Sequence, residues 1–197
     1  ADGNFVDGDQ ILAILASGRK RNGALVGNTV VATVMSNLGF NIAMKELEIE
    51  VIAAAVGDRY VLEEMRTGGF TIGGEQSGHV VLSEFATTGD GVLTALHLMS
   101  EMKATGKSMA ELAAIVNRLP QVLINVPNVD KSSVSKSAVS EAVAKLEQEL
   151  GSTGRILLRP SGTEPLIRVM VEAATADQAQ KVAKELAEVV ATHCALS

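Results

Sequence analysis

Strand-like and helix-like segments alternate along the first 118 residues, and this alternation constrains the fold more than any other feature of the sequence. Strands are predicted at 29–34, 50–56, 71–73 and 79–82, the last two forming a hairpin around the loop 74–78. Helices are predicted between and after the strands, with N-caps at Asp9, Ser36, Asp58, Asp90 and Ser108 and the last helix ending near Arg118. Strands separated by helices of this length predict a mixed, mainly parallel sheet covered by helices, which is an α/β domain.

The pattern changes after Leu119-Pro120, where β-α-β-β-α follows. Such a unit predicts a small α+β domain with helices on one face of an antiparallel sheet. We therefore predict an α/β domain at 7–118 and an α+β domain at 119–197. Residues 1–4 resemble a hairpin turn with Phe5-Val6 as its return strand, so we interpret 1–6 as the remnant of a preceding domain and the chain as a piece of a longer protein.

The loop 159–165 carries the strongest chemical signal, because it joins two predicted strands and is lined by cations and small donors. Arg159 opens it, Ser161-Gly162-Thr163 forms its turn, and Arg168 follows inside an apolar strand. Guanidinium groups present a planar fork to phosphate oxygens, hydroxyls add neutral donors, and glycine leaves room for a close approach to the backbone. The sequence therefore predicts a phosphate site here, the alternative being a solvated turn between two strands.

The loop 73–79 is the second informative one, since it places a carboxylate, an amide, a hydroxyl and an imidazole between glycines. Glu75, Gln76 and Ser77 offer the mixture of acceptors and donors that vicinal sugar hydroxyls require. His79 could also transfer protons near neutral pH. The spacing is not that of a nucleophile elbow, so Ser77 is not predicted to be a nucleophile. The alternative is a hairpin turn with one exposed histidine.

Composition excludes several functional classes. The formal charge of −6 and an aromatic content of 3% argue against nucleic-acid binding. No apolar run reaches the length of a membrane-spanning helix, and the single cysteine, Cys194, excludes an intrachain disulfide and suits a reducing cytoplasm. Asp7-Gly8-Asp9 and Asp90-Gly91 resemble metal loops, but each precedes a helix and helix capping explains both. No metal ligand is predicted in this chain.

With both loops in view, the chain resembles the α-D-phosphohexomutases. The resemblance runs through the whole sequence and rests on the segments 6–10, 34–40, 56–61, 74–79, 88–91 and 159–168. Members of that family have four domains, and this chain resembles the third, which binds the sugar, and the fourth, which binds phosphate. The family's phosphoserine loop and its magnesium loop have no counterpart here, so the chain by itself is expected to be inactive.

The resemblance implies a role for individual residues. Glu75 and Ser77 would bind sugar hydroxyls, and His79 and Arg59 would line the reacting side as catalytic residues. The phosphate that is not transferred would be held by Arg159, Ser161, Gly162, Thr163 and Arg168. The implied reaction moves a phosphoryl group between the 6 and 1 positions of a hexose through a phosphoserine enzyme and a 1,6-bisphosphate. Mg²⁺ would be the cofactor of the full-length enzyme, with its ligands outside this chain.

Gln76, between Glu75 and Ser77, favours the glucosamine members over the glucose and mannose members. The intermediate would then be glucosamine 1,6-bisphosphate, and the product would feed UDP-N-acetylglucosamine and cell-wall synthesis. The implied partners are a phosphosugar and the missing N-terminal domains, with a homodimer left open. Two alternatives remain at this point: a free-standing phosphosugar-binding or regulatory module, and a phosphoglucomutase or phosphomannomutase.

Overall fold

The computed structural model describes residues 3–196. These form two compact units, and the boundary along the chain lies between Arg118 and Leu119. Secondary structure in the first unit follows the alternation in the sequence. Its helices are α1 (Gly8–Arg21), α2 (Leu38–Glu46), α3 (Asp58–Gly68), α4 (Gly91–Thr105) and α5 (Met109–Ala113). Its strands are β1 (Thr29–Thr33), β2 (Glu50–Ala54), β3 (Ile72–Gly74) and β4 (Val80–Leu82).

The first unit is a mixed sheet with helices on both faces, as predicted. Its strand order is β2-β1-β3-β4, with β1 parallel to β2 and β3, and β3 antiparallel to β4. Val30, Ala32 and Ile72 face the core shared with α1, α2 and the later helices. Val31 and Val81 face α3 on the other side. This alternation of burial on two faces explains why β1 is apolar at its three central positions and buried at all five.

The second unit is an antiparallel sheet covered by two helices on one face. It contains β5 (Gln121–Pro127), α6 (Ser137–Leu150), β6 (Arg155–Pro160), β7 (Leu166–Glu172) and α7 (Ala176–His193), together with a short 3-10 turn at Lys131–Ser135. The strand order is β5-β7-β6. Ile156, Ile167, Val169 and Val171 pack against α6 and α7. The observed β-α-β-β-α succession confirms the fold class expected for this part of the chain.

Several predicted boundaries are wrong. The cap of α1 is Asp7, which forms a capping box with Gln10, and the cap of α2 is Asn37. Asp58 lies inside α3, whose N-cap position is Gly57 without a side-chain cap. The strands β1 and β2 end at Thr33 and Ala54, and α5 ends at Ala113. Phe5-Val6 belongs to no strand, and the turn predicted at 1–4 lies partly outside the described residues.

Asp9, predicted to be a cap, is instead a buried carboxylate that joins three segments. Only 1% of its surface is exposed, and its Oδ2 accepts hydrogen bonds from the backbone N–H of Asn37 at 2.7 Å and from Nε2 of Gln76 at 3.2 Å. Burial raises the pKa of Asp9, and the hydrogen bonds from Asn37, Ser36 and Gln76 oppose that rise only in part. Asp9 therefore fixes α1, the turn before α2 and the loop 75–79 to one another.

The N-terminus of α1 lies directly against the backbone of that loop. The N–H of Gly8 donates to the carbonyl of Gln76 at 2.9 Å. A Cβ at position 8 would lie 2.7 Å from the nitrogen of Gly78 and 2.8 Å from the carbonyl oxygen of Gln76, and closer still to the carbonyl oxygen of Glu75. These neighbours are backbone atoms that cannot rotate away, so only glycine fits at position 8. Among residues 3–196, no helix is long and apolar enough to span a membrane.

Gly8→Ala should reduce the free energy of unfolding by about 1–3 kcal/mol, because the new methyl overpacks a backbone contact. Gly91→Ala is the matched control, since Gly91 is also the first residue of a helix and a Cβ there meets no described atom within 4 Å. The control should be neutral or more stable by about 0.4–1 kcal/mol. Urea unfolding of both variants measures the difference, and equal stabilities would contradict the close approach at Gly8.

Asp9→Asn should change how stability depends on pH. The folded-state pKa of Asp9 is raised from 3.8, so the folded protein binds this proton more tightly than the unfolded chain does. That stabilisation is complete below the unfolded-state pKa and is lost as pH rises through the folded-state pKa. Asparagine cannot titrate, so the variant should gain stability relative to the wild type as pH rises through this window. A difference in unfolding free energy that does not vary with pH would refute the assignment.

Candidate functional site

The loop between β3 and β4 is a tight turn with its own backbone bonds. Its ends are joined by the N–H of Glu75, which donates to the carbonyl of His79 at 2.9 Å, and by the N–H of Gly78, which donates to the carbonyl of Glu75 at 2.9 Å. Gly78 has φ 102°, a value that favours glycine. The loop is therefore rigid at its base, while Ser77 at its tip is exposed.

The side chain of Glu75 is oriented by the backbone at the start of α3. Its Oε1 accepts a hydrogen bond from the N–H of Gly57 at 3.1 Å. Gly57 has φ 125°, so another residue at this position would strain the backbone that supplies the donor. Among residues 3–196, the other carboxylate oxygen of Glu75 accepts no hydrogen bond, which leaves it able to accept one from a ligand hydroxyl.

A cavity of about 370 Å³ lies beside this loop, and this volume is large enough for a small polar ligand. Its lining contains two of the predicted sugar-binding residues. The residues that line it are Phe5, Asp7, Thr33, Met35, Val56, Glu75, Gln76, Ser77 and Arg118. The sequence did not single out Arg118, whose Nε lies 3.7 Å from Oδ2 of Asp7.

His79 and Arg59 are not among the residues that line this cavity; both lie close to the N-terminus of α3. Nε2 of His79 is 3.7 Å from Oδ2 of Asp58, which is too long for a hydrogen bond, and this nitrogen is buried although the side chain as a whole is 37% exposed. The imidazole fills the space beside Gly89, where a Cβ would lie 2.5 Å from Nε2. Arg59 stacks on the ring of Tyr60 at 4.7 Å and donates to its hydroxyl at 3.2 Å.

The loop between β6 and β7 is closed by three hydrogen bonds of its own. The N–H of Ser161 donates to the carbonyl of Leu166 at 2.9 Å, the N–H of Leu166 donates to the carbonyl of Glu164 at 2.9 Å, and Ser161 Oγ accepts from the N–H of Glu164 at 3.3 Å. Ser161 is buried, whereas Gly162 and Thr163 are exposed at the tip. No described atom lies within 4 Å of a Cβ placed on Gly162, so the missing side chain serves no packing need inside the protein.

Arg159 and Arg168 are directly opposite each other in the β6–β7 ladder, on the face turned away from α6 and α7. Like charges at such positions destabilise a sheet unless something neutralises them. Within residues 3–196 no carboxylate forms an ion pair with either guanidinium, and Nε of Arg168 is buried without a hydrogen-bond partner. Four residues away on β6, Arg155 is paired with buried Glu172 at 2.9 Å, as an internal cation would ordinarily be.

One further residue lies beside the arginine pair and another contacts the adjoining loop, and sequence reasoning missed both. Asn125 is the cross-strand neighbour of Arg168 on β5, so it lies in the same row as the two arginines. Lys131 donates from Nζ to the carbonyl of Ser161 at 2.8 Å. Lys131 is 30 residues from Ser161 in the chain, and only the sheet order and the 3-10 turn bring it to the loop.

No group of three or more His, Cys, Asp or Glu side chains in the described part of the chain is arranged to hold a metal ion. Each of the two loops carries one carboxylate, Glu75 or Glu164, beside hydroxyl, amide and cationic groups. Their chemistry is that of hydrogen bonding and anion binding.

Comparisons with known proteins agree with the two-unit organisation. The model of phosphoglucomutase/phosphomannomutase α/β/α domain III matches residues 7–119, and the model of the family's C-terminal domain matches residues 123–189. Among solved structures, N-acetylphosphoglucosamine mutase of Aspergillus fumigatus superposes with a TM-score of 0.82 at 22% identity, over 99% of this chain and 45% of that one. A second structure of the Aspergillus enzyme, in complex with GlcNAc-6P and magnesium, gives a TM-score of 0.78 at 21% identity, over 96% of this chain and 48% of that one.

Curated relatives are much more similar in sequence. Phosphoglucosamine mutase of Corynebacterium efficiens is 64% identical over 97% of this chain, and the protein of that name from Nocardioides sp. is 61% identical over 99%. The chain spans 43% and 44% of the lengths of these two relatives. The two family models cover most of the chain, and their order along it matches the order of the two folded units. The chain belongs to the phosphoglucomutase/phosphomannomutase family.

Proposed function

We propose that this chain supplies the sugar and phosphate recognition of a phosphoglucosamine mutase, an isomerase that interconverts glucosamine 6-phosphate and glucosamine 1-phosphate. The observation that carries the proposal is the pair Arg159 and Arg168, opposite each other and without a carboxylate among residues 3–196. A dianionic phosphate would neutralise both guanidinium groups and would give Nε of Arg168 an acceptor. The name borne by relatives 60–64% identical supports the amino-sugar assignment.

The phosphate would be bound at the β6–β7 loop by hydrogen bonds of two strengths, charge-assisted and neutral. Arg159 and Arg168 supply charge-assisted hydrogen bonds, while the hydroxyl of Ser161 and the exposed Gly162-Thr163 tip supply neutral donors. A hydrogen bond to a charged group contributes about 1.5–3 kcal/mol net, so several together account for binding of a phosphosugar at micromolar concentrations. These donors recognise the phosphate group alone, so they accept a hexose carrying it at either end.

The sugar would lie in the cavity beside the β3–β4 loop. There the carboxylate of Glu75 would accept hydrogen bonds from the sugar hydroxyls, and the hydroxyl of Ser77 would donate to them. Gln76 also lines the cavity, but its amide is bonded to Asp9, so it would hold the loop in position in addition to any contact with substrate. His79 and Arg59 would act at the reacting side, His79 as the general acid or base and Arg59 as a positive charge for the transferred phosphoryl group.

The nucleophile and the magnesium ion of this reaction would come from residues outside this chain. A 1,6-bisphosphate intermediate must turn around in such a site, because each end is phosphorylated in turn. Recognition by a phosphate clamp and by a pair of hydroxyl-binding groups tolerates both orientations, which is what the reaction requires. The single, buried Cys194 suits a reducing cytoplasm, where we place the enzyme.

Arg159→Ala in the full-length protein should lower kcat/KM for glucosamine 6-phosphate by about 30- to 150-fold, equivalent to about 2–3 kcal/mol, with the fold intact. Arg159→Lys should recover only part of the loss, since an ammonium keeps the charge without the planar fork. Steady-state kinetics at low salt measures both variants.

The control for Arg159→Ala is Lys181→Ala, which removes one positive charge from the exposed side of α7 in the same unit. The control should keep wild-type kinetics. Wild-type kcat/KM in Arg159→Ala would show that the loop is only a structural turn, and the phosphate site would have to be abandoned.

Glu75→Gln should weaken binding of glucosamine 6-phosphate by about tenfold and leave the affinity for inorganic phosphate unchanged, because the carboxylate is assigned to sugar hydroxyls. Glutamine preserves the side-chain oxygen that accepts from Gly57. Isothermal titration calorimetry with the two ligands separates the sugar from the phosphate contribution. Equal losses for both ligands would contradict the role of Glu75.

A further inference from the structure

We propose that Lys131 is a third cation of the phosphate site, which fixes the 161–165 loop through the Ser161 carbonyl and contributes a positive charge to the bound phosphate. This inference rests on the proposed function, because it concerns the same phosphate. The clamp would then consist of Arg159, Arg168 and Lys131, with the lysine supplied from a distant part of the sequence.

The contact between Lys131 and the loop is short and partly buried. Nζ of Lys131 lies 2.8 Å from the carbonyl oxygen of Ser161, the first residue of the turn. An ammonium group carries three donors, and in the described part of the chain this is the one hydrogen bond that Nζ makes. Two donors therefore remain for a ligand at the loop. The ammonium also offsets the partial negative charge of the Ser161 carbonyl, which would otherwise repel an anion.

The charge of Lys131 is not neutralised by a carboxylate among residues 3–196. Asp130 is adjacent in sequence, but its oxygens accept from the hydroxyls of Ser132 and Ser133. Those hydrogen bonds lower the pKa of Asp130, and the nearby lysine that adds to this effect is Lys136. No carboxylate among residues 3–196 lies within ion-pair distance of Lys131. Lys131 thus resembles Arg159 and Arg168, since each carries a positive charge that no carboxylate among residues 3–196 neutralises.

The segment that carries Lys131 is held firmly by the end of the chain. The N–H of Asp130 donates to the carbonyl of Cys194 at 2.7 Å, and Sγ of Cys194 donates to the carbonyl of Ser133 at 3.4 Å. A β-bridge joins Val129 to Ala195. Lys131 therefore extends from a fixed backbone, so its ammonium needs little ordering when a phosphate binds.

Lys136 provides a matched control, because its Nζ also donates to a backbone carbonyl at 2.8 Å, that of His193. Lys131 is the first residue of the 3-10 turn and Lys136 follows its last, but within residues 3–196 only Lys131 of the two donates to the phosphate loop. A purely structural bond from a lysine to a carbonyl is present at both positions, so any difference in anion binding reports on the position of the charge.

The test compares Lys131→Met, Lys131→Arg, Lys136→Met and Arg159→Ala in the full-length protein. Isothermal titration calorimetry gives Kd for inorganic phosphate and for glucosamine 6-phosphate at low and high salt, and thermal unfolding gives Tm. Lys131→Met should bind both ligands about tenfold more weakly at low salt, and the difference should shrink at high salt because a lost charge is screened. Lys131→Arg should retain most of the affinity, and Lys136→Met should match the wild type.

The other possible results contradict either the role of Lys131 or the phosphate site itself. A wild-type Kd in Lys131→Met, with weak binding in Arg159→Ala, refutes the role of Lys131 and leaves the proposed function standing. Wild-type binding in both variants refutes the phosphate site itself. A loss that does not vary with salt, or that accompanies a lower Tm in Lys131→Arg as well, assigns Lys131 to the stability of the loop alone. If Lys131→Met does not fold, Lys131→Gln replaces it under the same expectations.

Discussion

The antiparallel register between β6 and β7 is the constraint on which the proposed phosphate site depends. It places Arg159 opposite Arg168 and, four residues further from the loop on each strand, Arg155 opposite Glu172. The second pair is an ordinary internal ion pair, while the first is a concentration of like charge that the fold leaves uncompensated within residues 3–196. A shift of β6 by one residue would turn Arg159 towards the helices and away from Arg168, so the apolar face that packs on α6 and α7 also maintains the position of the cations.

In the first unit, the exposed polar loop 75–79 is held in place without burial of the groups proposed to bind the sugar. The N-terminus of α1 contacts the loop through backbone atoms at Gly8, and the carboxylate of Asp9 accepts a hydrogen bond from the side chain of Gln76. Gly57 holds one oxygen of Glu75 from the other side. Two segments distant from the loop in sequence, the start of α1 and Gly57, therefore fix it, while Ser77 and the second oxygen of Glu75 remain available. The energetic cost of burying Asp9 is consistent with such a positioning role.

Local signals in the sequence predicted the start of a helix correctly where only one nearby residue could act as its cap. Asp90 and Ser108 cap α4 and α5 as expected, and α6 is the helix expected after the first strand of the β-α-β-β-α unit. The prediction failed at α1 and α2, where two candidate caps stood close together, and at α3, where the N-cap position is Gly57. Asp7 and Asp9 are equally good caps by composition, and burial against Asn37 decided between them. The residues of the two loops were also identified from sequence, but their roles in binding stay predictions.

The sequence by itself determined the fold class, the two-unit organisation and the two loops, because hydrophobic periodicity and turn residues act over short distances. Only the tertiary structure decided which other groups meet those loops. Lys131 at Ser161, Asn125 beside Arg168, Arg118 in the cavity lining and Asp58 near His79 depend on strand order and helix packing. These contacts join residues far apart in the chain, and nothing in their local sequence distinguishes them from solvated surface charges.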